Sequence, residues 1–393
     1  MKFLYVLSLV CLAVTGCATT AVEPIAGHQP LALHDDEKRI WARSAEEEKV
    51  LLKSGLVYED AALQAYVNGV AQRLQPPEVL DQVPFKILLL KNSYLNAFAY
   101  PNGMVFVHTG IVARMENEAQ LAALLAHEMT HTTYRHALSS FRDIKNKTAA
   151  LSTMSVVLMG FGGIGTLASA LGTIGTLASV SGYSRQLETE ADIEGLKLVV
   201  QAGYDPEEAK CIFTLLKKEV EEEKIREPFF FGSHPRLQER IDNYDALLNG
   251  EYKDRKGGVK NEEIFITMTY QLVLDNAVLD LRAGRFSSAE RAAQKILKTK
   301  PDDKKAYYLL GETARQRGQQ DDTVKAISSF EKAIALDSSY PDPYKSLGLV
   351  RLKMGEKPEA KKLFESYLAL QKDAPDRAYV EAYIRECSKK EAP

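Results

Sequence analysis

The sequence predicts an α+β protein that is mostly helical: a mixed domain with a small sheet, followed by an all-α array of repeated helix pairs. Helical patterning covers most of the chain from residue 35 onwards. Two apolar segments, 84–90 and 96–110, have the alternation typical of strands, and the second contains a Pro-Asn-Gly turn. Beyond residue 264, small residues recur about every 34 positions. A chain of 393 residues can bury a core in each of two such units.

The first 17 residues are typical of a secreted lipoprotein. One basic residue precedes an apolar run from Phe3 to Val14, which is too short to span a bilayer stably but suits a signal peptide. The run leads into Val-Thr-Gly-Cys, which resembles a lipobox, so Cys17 is expected to carry lipid. In a Gram-negative cell this resemblance implies an outer-membrane anchor facing the periplasm, with residues 18–33 as a flexible tether. An ordinary signal peptide with an incidental cysteine is the alternative.

Residues 34–250 are predicted to form the first folded domain. Its early elements are helices near 35–53 and 60–74, a strand within 84–90, and a hairpin over 96–107 that leads to a short helix. Asn117 then has the position of an N-cap, with Gln120 three residues later. From there EAQLAALLAHEMTHTTYRHAL is predicted to be one continuous helix.

This helix carries three histidines within ten residues, in HEMTHTTYRH. His127 and His131 are four residues apart, so both imidazoles can face one ion, and neutral imidazole suits Zn²⁺. Glu128 lies about 100° around the helix, where it can reach a metal-activated water without binding the metal. This HExxH arrangement predicts one zinc ion per chain, with Glu128 as general base. A surface helix with clustered histidines is the alternative, although the preceding LAALLA predicts burial.

A third zinc ligand is predicted in a second amphipathic helix, SRQLETEADIEGLKLVV. A catalytic zinc needs three protein ligands and one open position. Glu188 is the candidate ligand, and Asp192, four residues later, would accept the free ring N–H of a ligating histidine. Glu190 points elsewhere on a helix, and a solvated acidic face is the alternative for the whole cluster.

Together these segments resemble the gluzincin metallopeptidases of the HtpX and CaaX-protease type, which carry HExxH and ExxxD motifs. NAFAYPNG and VHTGIV also resemble the strand that precedes the zinc helix in that family. The resemblance implies a zincin-type domain in which zinc is bound by His127, His131 and Glu188, with Glu128 as the base and Asp192 behind a ligand. It also implies an endopeptidase that degrades or processes misfolded or misassembled periplasmic and outer-membrane proteins.

Two later residues are candidates for regulation or for oxyanion stabilisation. His234 and Arg240 lie in SHPRLQER, which resembles the family's segment after the ExxxD helix. His234 could approach the metal to stabilise an oxyanion or to hold the enzyme latent. The alternative is ordinary punctuation, with Pro235 at the first position of a helix.

His136 and Arg135 are predicted to have structural roles. His136 is five residues beyond His131, roughly 140° around a continuous helix, so it should not bind the same ion. We expect both side chains to pair with nearby acidic groups.

The hairpin supplies the candidate substrate-binding edge. An extended peptide can add one strand to a sheet edge through main-chain hydrogen bonds, which do not depend on its sequence and therefore suit unfolded substrates. The edge is predicted to run along Asn96, Ala97, Phe98 and Ala99.

Residues 148–184 contain no charged side chain, are rich in glycine and repeat the sequence IGTLAS. Family members such as HtpX carry transmembrane helices here, but the glycines weaken any long helix. Three interpretations stay open: small-residue helices packed within the domain, a helical hairpin that caps the cleft or lies in the membrane interface, and a pair of spanning helices. Only the last would make the chain a membrane-embedded prenyl-protein protease.

A linker over 251–263 is predicted to lead into tetratricopeptide repeats over 264–393. Ala277 and Gly311 share the 34-residue spacing, and this period with small residues at helix crossings resembles the tetratricopeptide pattern. A helix bundle that merely shares the period is the alternative. Stacked helix pairs leave a concave groove, which is a candidate site for substrate or for outer-membrane assembly machinery.

Composition narrows the remaining function classes. The net charge of −3 offers no basic excess for nucleic acid, and 45% hydrophobic residues argue against disorder. The competing hypothesis is a lipid-anchored repeat scaffold or chaperone with a silent or structural metal site. The presence of Glu128 argues against it, because a purely structural zinc has no need of that carboxylate.

Overall fold

The computed structural model describes residues 22–27, 29–158, 183–223, 237–255 and 257–389, which divide into two compact units. The first unit is drawn from Met1–Ile111, Met115–Lys217 and Arg226–Phe265, and the second from Val112–Arg114, Lys218–Ile225 and Ile266–Pro393. The described chain is mostly helical with one small sheet, so the predicted fold class is confirmed.

The described residues form sixteen helices and three strands. They are α1 (Asp35–Lys53), α2 (Ala61–Leu74), α3 (Pro77–Leu80), β1 (Lys86–Leu90), β2 (Ala97–Ala99), β3 (Met104–His108), α4 (Thr109–Arg114), α5 (Glu118–Thr133), α6 (His136–Leu158), α7 (Arg185–Gln201), α8 (Glu207–Glu223), α9 (Leu237–Asn249), α10 (Glu262–Arg282), α11 (Phe286–Thr299), α12 (Lys304–Arg317), α13 (Asp322–Leu336), α14 (Asp342–Lys353), α15 (Lys357–Leu370) and α16 (Arg377–Ser388).

The sheet has the strand order β1-β3-β2, with β1 parallel to β3 and β2 antiparallel to β3. The β2–β3 turn ends at Gly103, which has a φ of 91°; a Cβ there would lie 2.8 Å from Val83 Cγ1, so the turn requires glycine. The register places Phe98 opposite Phe106, with ring centroids 5.1 Å apart. The predicted hairpin is therefore present, and β2 lies at one edge of the sheet.

Every residue of α5 is buried, so the helix presents no face to solvent. Its sequence accordingly lacks the continuous polar face of a surface helix. At its N-terminus the Asn117 side chain accepts the Gln120 N–H at 3.0 Å, as the predicted N-cap requires. An alanine-rich helix of this kind can lie close to its neighbours on all sides.

The prediction of one continuous helix through residue 138 is wrong. The first helix ends at Thr133 and the next begins at His136. Between them Arg135 has a φ of 57°, a left-handed conformation that ends a helix. Its guanidinium bonds the carboxylate of Glu37 in α1, with Nε 2.7 Å from Oε1. This long-range ion pair stabilises a turn that local propensity would not select.

The described part of the predicted tether is held against the end of α5. Ile25 is buried, and its N–H donates to the Thr133 carbonyl at 2.8 Å. The Arg135 guanidinium donates to the carbonyls of Glu23 and Ala32 at 3.3 and 3.4 Å. The structure therefore differs from the predicted flexible tether here, because one apolar anchor and main-chain hydrogen bonds order these residues.

The predicted linker also packs onto the first unit. The Val259 N–H donates to the Gly203 carbonyl at 2.9 Å. The Lys260 carbonyl accepts the Glu118 N–H at 2.9 Å and so satisfies a donor in the first turn of α5. These contacts use main-chain atoms, which explains why the polar sequence of the segment gave no indication of them.

The second unit stacks helix pairs α10/α11, α12/α13 and α14/α15, followed by α16. Small residues lie where helices cross: a Cβ at Gly311 would come within 2.5 Å of the Phe330 ring, and one at Gly348 within 2.7 Å of the Phe364 ring. This small-to-aromatic contact explains the spacing seen in the sequence.

Within the described ranges, α10 is the one helix whose length and composition would let it cross a membrane. Half of its most apolar window is buried inside the protein, as in a core helix, so this property is weak evidence for spanning.

Candidate active site

Three side chains predicted as metal ligands converge in the first unit. His127 and His131 project from successive turns of α5, and their Nε2 atoms are 3.0 Å apart. Glu188, in the first turn of α7, places its carboxylate oxygens 3.5 Å from His127 Nε2 and 3.6 Å from His131 Nε2. All three side chains are buried, and their ligand atoms lie within 4.8 Å of one another.

Helix α7 delivers Glu188 because it lies unusually close to α5. A Cβ on Gly195 would be 3.1 Å from the backbone nitrogen of His127 and 3.2 Å from its Cα, tighter than ordinary contacts. At the N-terminus, the Ser184 hydroxyl accepts the Leu187 N–H at 3.4 Å and caps the helix. The role of Gly195 could not be predicted from sequence, where its only sign is an isolated glycine inside a helical pattern.

This donor set suits a zinc ion. For a tetrahedral ion at ligand distances of about 2.0–2.2 Å, neighbouring ligand atoms are about 3.4 Å apart, close to the separations found here. Two imidazoles and one carboxylate are also the ligands of one class of catalytic zinc site, which keeps a fourth position for water or substrate. In the part of the chain that the structure describes, these three residues make up the candidate metal group.

Comparison with known proteins agrees with this geometry. Residues 58–248 match the model of peptidase family M48, and residues 274–341 match a tetratricopeptide repeat model. The chain carries a family M48 peptidase domain. Tetratricopeptide repeats follow it, as the sequence predicted.

Relatives of the chain are named as proteases. The chain is 24% identical over 352 residues to a Vibrio cholerae protein provisionally named β-barrel assembly-enhancing protease, covering 79% of the chain and 71% of that protein. It is 27% identical over 197 residues to the β-barrel assembly-enhancing protease of Escherichia coli K12, covering 48% and 39%. It is 32% identical over 184 residues to the mitochondrial metalloendopeptidase OMA1 of Schizosaccharomyces pombe, covering 47% and 52%. The M48 domain is therefore a metalloendopeptidase domain, and the chain spans about half or less of the last two relatives.

The candidate base of the M48 domain, Glu128, is buried beside His127 on α5. Tyr183, just before α7, stacks on the His131 ring with centroids 4.1 Å apart and planes 14° apart. Burial, together with the negative charges of Glu128 and Glu188, raises the pKa of Tyr183, so its phenol stays protonated. The role of Tyr183 could not be predicted from sequence, because the residue lies outside a helix and belongs to no periodic pattern.

Asp192 and Arg240 form a buried ion pair behind His127. Asp192 Oδ1 lies 3.1 Å from His127 Nδ1 and accepts from the Arg240 guanidinium at 2.5 Å and from the Tyr244 hydroxyl at 3.0 Å. Burial alone would raise the pKa of Asp192, but the charge of Arg240 and the contact with His127 keep it below its usual range. The carboxylate is thus ionised and placed to accept the His127 Nδ1–H.

The guanidinium of Arg240 is enclosed by groups of the same site. It stacks 3.9 Å above the Phe213 ring, lies 2.9 Å from His127 Nδ1 and reaches within 3.7 Å of Glu188. These contacts make it the counter-charge of two buried carboxylates. The regulatory or oxyanion role proposed from sequence for Arg240 stays a prediction.

His136 approaches the site more closely than the sequence predicted. Because the chain reverses at Arg135, His136 Nδ1 lies 2.8 Å from His131 Nδ1, while its Nε2 lies 3.1 Å from Glu190 Oε2. Burial lowers the pKa of His136 to about 4, so the ring is neutral near pH 7. The predicted pairing of Arg135 and His136 with acidic groups agrees with the structure, but the contact between His136 and a ligand depends on the unpredicted turn.

The candidate substrate edge is short. Asn96 and Ala97 are buried, whereas Phe98 and Ala99 are half-buried, and the Asn96 carbonyl accepts the His108 N–H at 2.9 Å. A shallow pocket joins this strand to the metal group, with a lining that includes Trp41, Ala99, Pro101, His131 and Tyr183.

Three predicted features lie outside the described residues. They are Cys17, His234 and most of the uncharged segment, residues 159–182.

Proposed function

We propose that the chain is a zinc-dependent endopeptidase of the bacterial cell envelope that degrades or processes misfolded or misassembled envelope proteins. The observation that carries the proposal is the buried group of His127, His131 and Glu188, with Glu128 next to the first ligand. This is the arrangement that a zinc hydrolase needs: three protein ligands, one open position and a carboxylate beside it.

When bound, Zn²⁺ would supply a Lewis acid that activates water and polarises the scissile carbonyl. Glu128 takes the proton of the attacking water and passes it to the leaving amine. Asp192, 3.1 Å from His127 Nδ1, holds that ring with its Nε2 directed into the ligand group. The Arg240 charge keeps Asp192 ionised for this purpose.

The substrate would bind as an extended strand along β2. An edge strand offers main-chain donors and acceptors at the regular spacing that any unfolded chain can match. Trp41, Ala99 and Tyr183 line the path between β2 and His131 and would lie beside the bound peptide. Such binding favours unfolded over folded substrates, which is the selectivity that quality control requires.

The cellular setting follows from the N-terminal motif and from the names of the relatives. A lipid on Cys17 would hold the enzyme at the outer membrane, facing the periplasm, and residues 148–184 could add a second contact with the membrane. The bacterial relatives are named for β-barrel assembly. We propose that the repeats bind substrate or the outer-membrane assembly machinery, which would bring the enzyme to stalled barrel precursors.

The test compares purified wild-type chain with Glu128→Gln and with Glu116→Gln, which changes an exposed carboxylate just before the same helix. We expect one zinc per chain in all three proteins. Cleavage of unfolded casein should fall by about 10²–10⁴-fold in Glu128→Gln alone, the usual contribution of a general acid–base group. Chelation should abolish cleavage and added Zn²⁺ should restore it.

Equal cleavage by wild type and Glu128→Gln would refute the proposal. Zinc binding without cleavage in any variant, together with retained capture of envelope proteins by the repeats, would instead favour the scaffold hypothesis.

A further inference from the structure

A series of close contacts runs from the second ring nitrogen of His131, away from the candidate metal group, to the protein surface. His131 Nε2 belongs to the ligand group, whereas its Nδ1 lies 2.8 Å from His136 Nδ1. His136 Nε2 in turn lies 3.1 Å from the Glu190 carboxylate. Both histidines are buried, and the Glu190 side chain is 47% exposed.

The position of the proton on each neutral imidazole sets the direction of the two hydrogen bonds. A histidine that binds a metal through Nε2 carries its proton on Nδ1. His136 Nδ1 must then accept the proton of His131, so His136 carries its own proton on Nε2 and donates it to Glu190. Both hydrogen bonds run toward the carboxylate, and neither ring needs a charge.

We propose that His136 is a positioning residue that fixes the tautomer and orientation of His131 for zinc binding, with Glu190 as the terminal acceptor. The inference rests on the proposed zinc function. Ligating histidines usually donate to a carboxylate, a carbonyl or water, and Asp192 Oδ1, 3.1 Å from His127 Nδ1, is placed as such an acceptor. For His131 the first acceptor is the imidazole of His136, which in turn donates to the carboxylate of Glu190.

Tyr183 cannot fill this role. Its ring lies parallel to that of His131 and restrains the plane of the imidazole. Stacking does not distinguish the two nitrogens, however, because it acts on the face of the ring. Only an acceptor in the plane, opposite Nδ1, selects the tautomer that leaves Nε2 free to bind metal.

The test measures the zinc dissociation constant of the full chain by competition with a chelator. His136→Leu removes the acceptor, and His136→Asn keeps one, because its Oδ1 can stand where Nδ1 stood. His108→Leu is the matched control: it removes another buried imidazole of the same unit, one that lies edge-on to the Phe98 ring with centroids 6.4 Å apart. We expect the dissociation constant to rise about 10–100-fold in His136→Leu, as for other partners of ligating histidines. His136→Asn should largely restore it, and His108→Leu should leave it unchanged.

A second measurement does not depend on any variant. Long-range ¹H–¹⁵N spectra of the zinc-loaded wild type should show His131 protonated on Nδ1 and His136 protonated on Nε2. A proton on His136 Nδ1 would overturn the inference, as would wild-type affinity in His136→Leu or equal weakening in the leucine and asparagine variants. If His136→Leu does not fold, the asparagine variant and the spectra decide. Failure of the wild type to bind zinc at all would instead refute the proposed function.

Discussion

Gly195→Ala should weaken zinc binding although residue 195 binds nothing. The added Cβ would lie 3.1 Å from the His127 nitrogen, about 0.3 Å inside the 3.4 Å at which ordinary contact begins. The obstructing atoms are backbone of α5 and cannot rotate away, so α7 must move relative to α5. Ligand distances at metal sites hold to about 0.2 Å, and a shift of this size in the helix that carries Glu188 exceeds that tolerance.

We expect the zinc dissociation constant of Gly195→Ala to rise by about tenfold, equivalent to 1.4 kcal/mol. The metal-free protein should lose at most about 1–3 kcal/mol from overpacking, partly offset by about 1 kcal/mol from the better helix propensity of alanine. Chelator competition measures the first quantity, and urea denaturation in excess chelator measures the second.

The control is Gly69→Ala in α2, another glycine inside a helix. A Cβ there meets only the far end of the Arg73 side chain, at 3.8 Å. This variant should be slightly stabilised, by up to about 1 kcal/mol, and should bind zinc normally. If Gly195→Ala bound zinc as tightly as Gly69→Ala, the close approach of the two helices would not be what positions Glu188, and the reasoning would fail.

Two further predictions concern charge. Arg240→Met should lower the free energy of unfolding by about 3–5 kcal/mol in urea, because it leaves Asp192 and Glu188 as buried carboxylates without their cation; a loss below 1 kcal/mol would contradict this. In the repeats, hydrogen bonds and charge from Arg317 hold the pKa of Asp322 at about 2. A depressed pKa stabilises the fold fully above pH about 4 and loses that contribution as the pH falls through about 2. Asp322→Asn should therefore unfold more readily than wild type at pH 7, and the difference should vanish near pH 2; a difference that stays constant with pH would refute the assignment.

The parts of the site that lie on regular helices could be predicted from sequence. A spacing of four residues brings His127 and His131 to one face of α5, and the same spacing on α7 puts Glu188 and Asp192 on one side of the ligand group. The hairpin could also be predicted, because Pro-Asn-Gly between alternating segments permits few other structures. In each case short-range geometry decides which side chains share a face or a turn.

The parts that depend on contacts between distant segments could not be predicted. No local rule places a left-handed residue at Arg135, because the groups that stabilise that conformation are distant in sequence, the nearest of them Glu37, 98 residues away. The importance of Gly195 depends on which helix lies opposite, and Tyr183 reaches His131 from outside any repeating pattern. Sequence periodicity describes a single helix or strand, whereas each of these features depends on a contact between two segments.

The turn at Arg135 also shows that the active site extends beyond the segment matched to family M48, which begins at residue 58. On an unbroken helix, His131 and His136 would point about 140° apart and could not touch. The reversal brings their Nδ1 atoms to 2.8 Å, and it is stabilised by Glu37 of α1, with the carbonyls of Glu23 and Ala32 as further acceptors. Helix α1 and the segment before it therefore support His131, a candidate zinc ligand, through the turn. Because these contacts stabilise the turn that brings His136 to His131, Glu37→Gln should weaken zinc binding before it lowers the free energy of unfolding.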